Sequence, residues 1–216
     1  DKPYVESDYT LSDGADLYDA IAWICSKCGV TFGTSENALV NHDYVVKKPV
    51  GTNLTYRQLL SWAAQLAGSC AKFNASTNEL EFVWYGEGDS YSVSADDTFS
   101  HQVASNEITI TGILTKQYGK ERNLIGTDVY PLTIEDNGFI NYEDSSFADA
   151  IENIFYKVAG TSYNSISLTK INDPLLEPFD SIQYTDVDGT TYYSYVTNYN
   201  YAFADATGIE AVGETE

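Results

Sequence analysis

The most regular hydrophobic pattern of the chain runs from Thr55 to Tyr85, and it predicts a helix followed by a hairpin. Thr55 is a good N-cap residue and Gln58 follows three positions later, as in a capping box. The apolar residues after them recur at helical spacing: Leu59, Leu60, Ala63, Ala64 and Ala67. Gly68 is suited to end the helix. Two β-prone runs, 71–73 and 80–85, then flank a polar turn and predict a hairpin packed on the helix.

Two other segments repeat this order of helix, glycine and strand. Residues 16–28 predict a helix that ends at Gly29, and residues 147–158 predict one that ends before Gly160. Both carry Asp-Ala-Ile near their start. Internal duplication and chance likeness of amphipathic helices both explain this pattern, and the uneven spacing argues against a solenoid.

The pattern changes near residue 105 from helical stripes to alternating strands. Residues 107–113 alternate apolar and polar positions, and Pro131 confines a strand at 130–134 to a sheet edge or a strand start. Asp188-Gly189 is a two-residue hairpin signal. Further strands are predicted around this turn and after it, at 192–197, 199–203 and 208–212.

These elements predict an α+β fold with two domains. Residues 12–104 form an α+β domain of two helices with short hairpins. Residues 105–216 form a small antiparallel, β-barrel-like domain, with helix 147–158 as its cover. Residues 1–11 indicate a linker or an edge strand arriving from a missing upstream part.

The charge of the chain limits the kinds of partner that it can bind. Of 216 residues, 32 are acidic and 11 basic, which gives a formal net charge of -21. Such a chain repels nucleic acid and anionic membranes wherever salt does not screen the charges. No run approaches the roughly 20 apolar residues of a membrane helix, and the first residues resemble neither a signal peptide nor a transit peptide.

Three cysteines do not make a closed disulfide framework, which fits assembly in a reducing cytoplasm. Cys25 and Cys28 form a C-x-x-C pair, but they lie on the apolar side of a predicted helix, and no second pair matches them. Both are therefore predicted to be core thiols and not ligands of zinc or a redox pair.

The residues for catalysis are sparse, and we expect no enzyme, no metal and no cofactor. Neither of the two histidines stands near a serine elbow or a cysteine with catalytic context. The acidic pairs Asp96-Asp97 and Glu143-Asp144 suit the two carboxylates of a glycosidase, but among 32 acidic residues such pairs arise by chance. We interpret them as solvated loop charges.

Two features of residues 186–201 suggest binding. Asp186 and Asp188 resemble the opening of a calcium loop, but residues 190–197 supply no further acid, so a hairpin turn is the favoured interpretation. Five tyrosines follow, and they suit either a sugar platform or, preferably, core plus a protein interface, because alternation sends them to opposite sides of a sheet. These are Tyr192, Tyr193, Tyr195, Tyr199 and Tyr201.

Three stretches together resemble a known family. They are LYDAIAWICSKCGVTFG, TYRQLLSWAAQLAGSCAKFNASTNELEFVWY and INDPLLEPFDSIQYTDVDGTTYYSYVTNYNY. In order and spacing they look like the hub region of tail-tip (baseplate) proteins from phages and prophages of Gram-positive bacteria, the family of the tail-associated lysin. The matching positions cover about a third of the chain.

The resemblance implies a virion structural protein of the phage tail, assembled in the bacterial cytoplasm. It implies a homotrimeric ring at the end of the tail tube, in contact with other tail-tip and tail-tube proteins, through which tape measure and DNA pass without being bound. The family's further parts, an upstream tube-like domain and a downstream peptidase or muramidase, are not found in this sequence. The alternative function is an extracellular carbohydrate-binding or adhesion module, assisted by calcium, which the 18 tyrosines and acidic turns favour.

Overall fold

The computed structural model of the chain describes residues 2–12, 14–171, 173–201 and 207–211, with only the backbone described for Tyr201 and 207–211. Mixed α+β structure is confirmed. In chain order the elements are α1 (Leu17–Cys28), β1 (Thr31–Phe32), α2 (Tyr56–Leu66), β2 (Cys70–Asn74), β3 (Glu79–Val83), β4 (Ser90–Ser94), β5 (Thr98–Thr109), β6 (Gly112–Gln117), β7 (Lys120–Gly126), β8 (Pro131–Glu135), α3 (Phe147–Val158), β9 (Ser162–Lys170), β10 (Ser181–Thr185), β11 (Thr191–Tyr195), β12 (Asn198–Tyr201) and β13 (Thr207–Ala211).

The three helices form where the hydrophobic stripes predicted them. The Thr55 side chain accepts a hydrogen bond from the Gln58 amide at 3.2 Å, and Asp16 caps α1 through the Asp19 amide at 2.8 Å. These bonds satisfy amides that have no partner inside the helix. Gly29 ends α1 with φ +73°, a backbone conformation that favours glycine.

The contacts divide the chain into two compact units, each made of two separate segments. The helical unit comprises Asp1–Phe82 and Thr111–Ala159, and the sheet unit comprises Val83–Ile110 and Gly160–Glu216. This division differs from the single cut near residue 105 that the sequence predicted. Residue 105 lies inside β5, a 12-residue strand of the sheet unit.

The helical unit packs α1, α2 and α3 with two three-stranded sheets. One sheet has the order β1-β3-β2 and the other β7-β6-β8, with β6 and β8 parallel. Pro131 begins β8 at the edge of its sheet, as predicted. Helix α3 packs on β6, β7 and α2, so it covers the sheet of β7, β6 and β8. The largest side chains of this core are almost completely buried: Leu17, Ile21, Ile24, Tyr56, Leu59, Leu66, Ile113, Phe139 and Ile151.

The sheet unit consists of two sheets with the orders β11-β10-β4 and β12-β13-β9-β5. Their core joins both sheets and contains Val93, Ile166, Leu168, Leu176, Ile182, Tyr184 and Val196. The predicted barrel-like domain is not what forms, since no sheet of the described residues closes into a barrel. Long-range parallel pairing of β4 with β10 builds an open sheet instead.

The predicted strand at 107–113 is wrong as a single element. The chain leaves β5 at Thr109 and enters β6 at Gly112, and these strands belong to different sheets. Strands β12 and β13 do form near the predicted ranges 199–203 and 208–212, and residues 202–206 and Val212 lie outside the described residues.

Candidate functional site

The outward side of the β11-β10-β4 sheet is the most distinctive surface of the sheet unit. The register places nine residues on it in three rows: Thr191, Thr185 and Ser94; Tyr193, Gln183 and Ser92; Tyr195, Ser181 and Ser90. All nine are exposed or half-buried, and none carries a formal charge at neutral pH. We call this set of nine residues the hydroxyl face.

Alternation along the strands produces the hydroxyl face. Between its residues stand Val93, Ile182 and Tyr184, whose side chains point to the core of the unit and are at most 3% exposed. Successive residues of a strand point to opposite sides of a sheet, so burying one set exposes the other. The Thr185 and Thr191 hydroxyls, 3.3 Å apart, hydrogen-bond across the pair of strands.

An aromatic cluster stands at one end of the hydroxyl face. The Tyr85 ring lies 5.6 Å from the Tyr195 ring, 5.5 Å from that of Phe179 and 5.0 Å from that of Trp84. All four side chains are half-buried. The Trp84 indole N–H donates to the Thr161 hydroxyl at 3.0 Å, which fixes one ring of the cluster. Rings in such tilted and edge arrangements add specific attraction to area burial.

The backbone beneath this cluster is strained. Phe179 has φ +77°, a conformation that costs a residue with a side chain about 1–3 kcal/mol. Its amide donates to the Val196 carbonyl at 2.7 Å, which holds it there. Gly86 passes close to Tyr195, since a Cβ at Gly86 would lie 3.3 Å from that ring. The Asp180 carboxylate accepts a hydrogen bond from the Asp89 amide at 3.0 Å and so fixes the loop that contains Gly86.

The five predicted interface tyrosines do not share one surface. Tyr193 is 58% exposed and Tyr195 lies beside it on the hydroxyl face, whereas Tyr192 and Tyr199 pack against the core of the unit. The side chain of Tyr201 lies outside the described residues. Burial also raises the pKa of Tyr195, which keeps its phenol neutral. Trp84, Tyr85 and Phe179 join Tyr195 from loops, and the sequence pattern did not indicate them.

Asp186 and Asp188 serve the hairpin turn between β10 and β11. Asp186 accepts from the Val187 amide at 2.7 Å and Asp188 from the Thr190 amide at 2.8 Å. Hydrogen bonds from Thr190, chiefly that of its amide, lower the pKa of Asp188. Asp186 also lies 3.4 Å from the His101 imidazole. Among the described residues, no group of three or more His, Cys, Asp or Glu is placed to hold a metal ion.

The two predicted acidic pairs take part in local turns. Asp97 accepts from the Ser94 hydroxyl at 2.8 Å, and this bond is the main cause of its lowered pKa. Asp144 accepts from the Ser146 amide at 2.8 Å just before α3, which lowers its pKa in the same way. Glu143 forms an ion pair with Arg122. Each pair therefore contributes at least one carboxylate that stabilises an exposed turn.

A groove of about 750 Å³ lies in the helical unit between α1, α2 and the strands β2 and β3. All three cysteines line it. Cys25 is buried, and burial raises its pKa to about 11, so it remains a thiol at neutral pH. The prediction that Cys28 is a core thiol is wrong, because Cys28 lies exposed in the last turn of α1. Tyr56 also lines this groove, and its buried hydroxyl has no hydrogen-bond partner among the described residues.

Two buried asparagines were not indicated by the sequence, although they hold the helical unit together. Asn41 donates to the carbonyls of Leu66 and Ala150, both at 2.9 Å. Asn137 donates to the Trp62 carbonyl at 2.9 Å. Gly138 packs so close to the Trp62 ring that a Cβ would come within 2.5 Å of it. Asn41 has a positive φ of 58°, a backbone conformation that Asn tolerates in turns.

Strand β5 presents a long edge of the sheet unit. It lies at the end of the order β12-β13-β9-β5 and spans 12 residues. Phe99 stands on it with 67% of its surface exposed. A strand at the edge of a sheet offers backbone groups to a further strand.

The described helices include none that is long and apolar enough to cross a membrane. No protein-family model and no curated protein matches the chain. Among solved structures, a chain from the virion of a native gene transfer agent particle is similar over 93% of this chain and 47% of its own length, with 11% identity and a TM-score of 0.49. A chain from the phage P2 baseplate in its activated conformation with calcium is similar over 74% of this chain and 54% of its own, with 11% identity and a TM-score of 0.25. This chain thus spans about half the length of the solved chains it matches. Neither TM-score reaches 0.5, so the proposals below rest on the residues of the chain itself.

Proposed function

We propose that the protein is a non-enzymatic structural component of a phage tail tip. In this proposal, three copies form a hub ring at the end of the tail tube, and tape measure and DNA pass through its opening. The ring is assembled in the bacterial cytoplasm and contacts other tail-tip and tail-tube proteins. The observation that carries the proposal is the joint likeness of three stretches to the hub region of tail-associated lysins. In this structure those stretches form α1 with β1, α2 with β2 and β3, and the β10–β11 hairpin.

The charge of the chain supports the passage of DNA without binding. A net charge of -21 makes the average surface repel phosphate, and the 11 basic residues are too few to offset it. An opening lined by such subunits does not retain DNA electrostatically. A gel-shift assay at low salt should therefore show no complex with double-stranded DNA.

Strand edges supply the contacts of the ring in this proposal. The edge of β5 offers backbone groups along 12 residues, and exposed Phe99 adds an apolar side chain to it. Pairing of strand edges between copies forms hydrogen bonds that hold the copies together. Salt screens the repulsion between the like charges of neighbouring copies, so this repulsion does not prevent the pairing.

Electron microscopy of the purified chain tests the proposal. We expect class averages of a threefold ring with a central opening. Phe99→Asp, which puts a carboxylate on the β5 edge, should reduce the fraction of rings, whereas Leu175→Asp, at a residue 71% exposed in the same unit, should leave it unchanged. Particles without threefold symmetry, or an equal loss in both variants, would refute the ring.

A further inference from the structure

The hydroxyl face is an uncharged surface on a strongly acidic protein. The chain has 43 ionisable residues of the Asp, Glu, Lys and Arg types, yet none of the nine positions of the face carries one. Six of the nine are Ser or Tyr residues, and all of these except Ser90 have at least one buried neighbour along the strand, so the surface is set by the fold as well as by composition. An uncharged surface of this kind selects for an uncharged partner.

The dimensions of the hydroxyl face favour a small partner. Three strands spaced about 4.8 Å apart and five residues rising about 3.4 Å each span roughly 10 by 14 Å between backbone positions. A specific protein interface buries about 800 Å² on each partner, several times the area of this patch. The face therefore suits a short chain of rings better than a second protein.

The chemistry of the hydroxyl face matches that of a sugar. Ser and Thr hydroxyls and the Gln183 amide both donate and accept hydrogen bonds, as the hydroxyls of a sugar do. In the described part of the chain, the side chains of Ser92 and Gln183 make no hydrogen bond. Tyr193, with 58% of its surface exposed, stands in the middle row with them and offers a ring face on which a sugar can stack.

We propose that the hydroxyl face is a binding site for a short, uncharged oligosaccharide. Tyr193 stacks on one sugar ring, Gln183 and Ser92 hydrogen-bond to its hydroxyls, and the aromatic cluster at Tyr195 bounds the site at the other end. Anionic glycans are disfavoured, because the protein's net charge of -21 repels them. This proposal does not depend on the ring, since each copy carries the whole face.

A glycan array tests the proposal with the wild-type chain. The probes are neutral hexose and N-acetylhexosamine oligosaccharides, with sialylated and phosphorylated glycans as the anionic set. We expect binding to members of the neutral set only. The strongest glycan is then titrated by calorimetry against Tyr193→Ala and Ser92→Arg, each of which should weaken binding about tenfold or more.

Tyr156→Ala is the matched control, because Tyr156 is an exposed tyrosine, 71% accessible, on α3 of the helical unit. It should bind the glycan like the wild type, and thermal melts should show that all three variants fold. No binding to any neutral glycan, or equal binding by the folded face variants and the wild type, would overturn the proposal. So would a self-associated mass that Tyr193→Ala alone reduces to that of one chain, since the face would then lie between copies.

Discussion

The two units are stabilised in different ways. The helical unit buries aliphatic side chains between helices and sheets, and buried side-chain amides such as those of Asn41 and Asn137 donate hydrogen bonds to helix carbonyls. The sheet unit has a small core of seven buried hydrophobic residues, and the outward side of its β11-β10-β4 sheet is the uncharged hydroxyl face. In the helical unit, burial depends on packing between several helices and sheets. In the sheet unit, it depends on which side of the sheet a strand residue faces. Substitutions in the core of the helical unit should therefore lower stability strongly, whereas substitutions on the hydroxyl face should lower it little.

The largest effect is expected for a charge in the core of the helical unit. Ile154 is 2% exposed on α3, and Ile154→Asp places a carboxylate without a partner in that core. We expect a loss of several kcal/mol, measured by urea denaturation. Glu152→Gln, at an exposed position of the same helix, should be nearly neutral. Equal stability of the two variants would show that α3 does not pack as described.

A second, smaller effect is expected for the buried amide at Asn41. Asn41→Asp removes both donations to the Leu66 and Ala150 carbonyls and sets a carboxylate against them. We expect a cost of about 2 to 3 kcal/mol, also by urea denaturation. Asn53→Asp is the matched control, since Asn53 is exposed and shares the positive φ, at 64°. A similar cost at both sites would assign the effect to the turn conformation and not to the buried bonds.

Ser→Ala substitutions compare the inward and outward sides of the β11-β10-β4 sheet. The Ser194 hydroxyl, 2% exposed, donates to the Asn164 carbonyl at 2.6 Å, so Ser194→Ala should cost about 1 kcal/mol. Ser92→Ala on the hydroxyl face should cost almost nothing. The measurement is the melting temperature of each variant. A larger loss for Ser92→Ala would reverse the assignment of inward and outward sides.

The smallest effect concerns the pH dependence of the turn before β5. The bond from the Ser94 hydroxyl lowers the pKa of Asp97, so its contribution to stability is present above the unfolded pKa of about 3.9 and is lost as pH falls through the folded value. Ser94→Ala should therefore be less stable than the wild type at neutral pH, and this difference should shrink as pH falls below about 4. NMR titration of Asp97 checks the cause, and a wild-type pKa equal to that of the variant would contradict it.

The sequence predicted the parts of the fold that rest on local pattern. The stripes of α1, α2 and α3, the N-cap at Thr55 and the edge position of Pro131 follow from spacing and from properties of single residues. Strand β4 and the first part of β5 were missed, because their polar residues are exposed and only partners far along the chain make them strands.

The same limit applies to the candidate site. Alternation of Ser and Val in β4, and of Ile, Gln and Tyr in β10, is readable as period two, but nothing local indicates that these strands pair across about 90 residues. The aromatic cluster likewise joins Trp84 and Tyr85 to Phe179 and Tyr195 through loops. Each strand's two sides are thus predictable, whereas the surface that several strands make together is not.

The most direct test of the proposed ring is its mass in solution as a function of salt. Copies of a chain with a net charge of -21 repel one another, and salt shortens the range of that repulsion from about 10 Å at 0.1 M to about 3 Å at 1 M. Light scattering after size-exclusion chromatography should therefore give three times the chain mass, with a trimer fraction that rises as salt is added. A mass of one chain at every salt concentration would contradict the account.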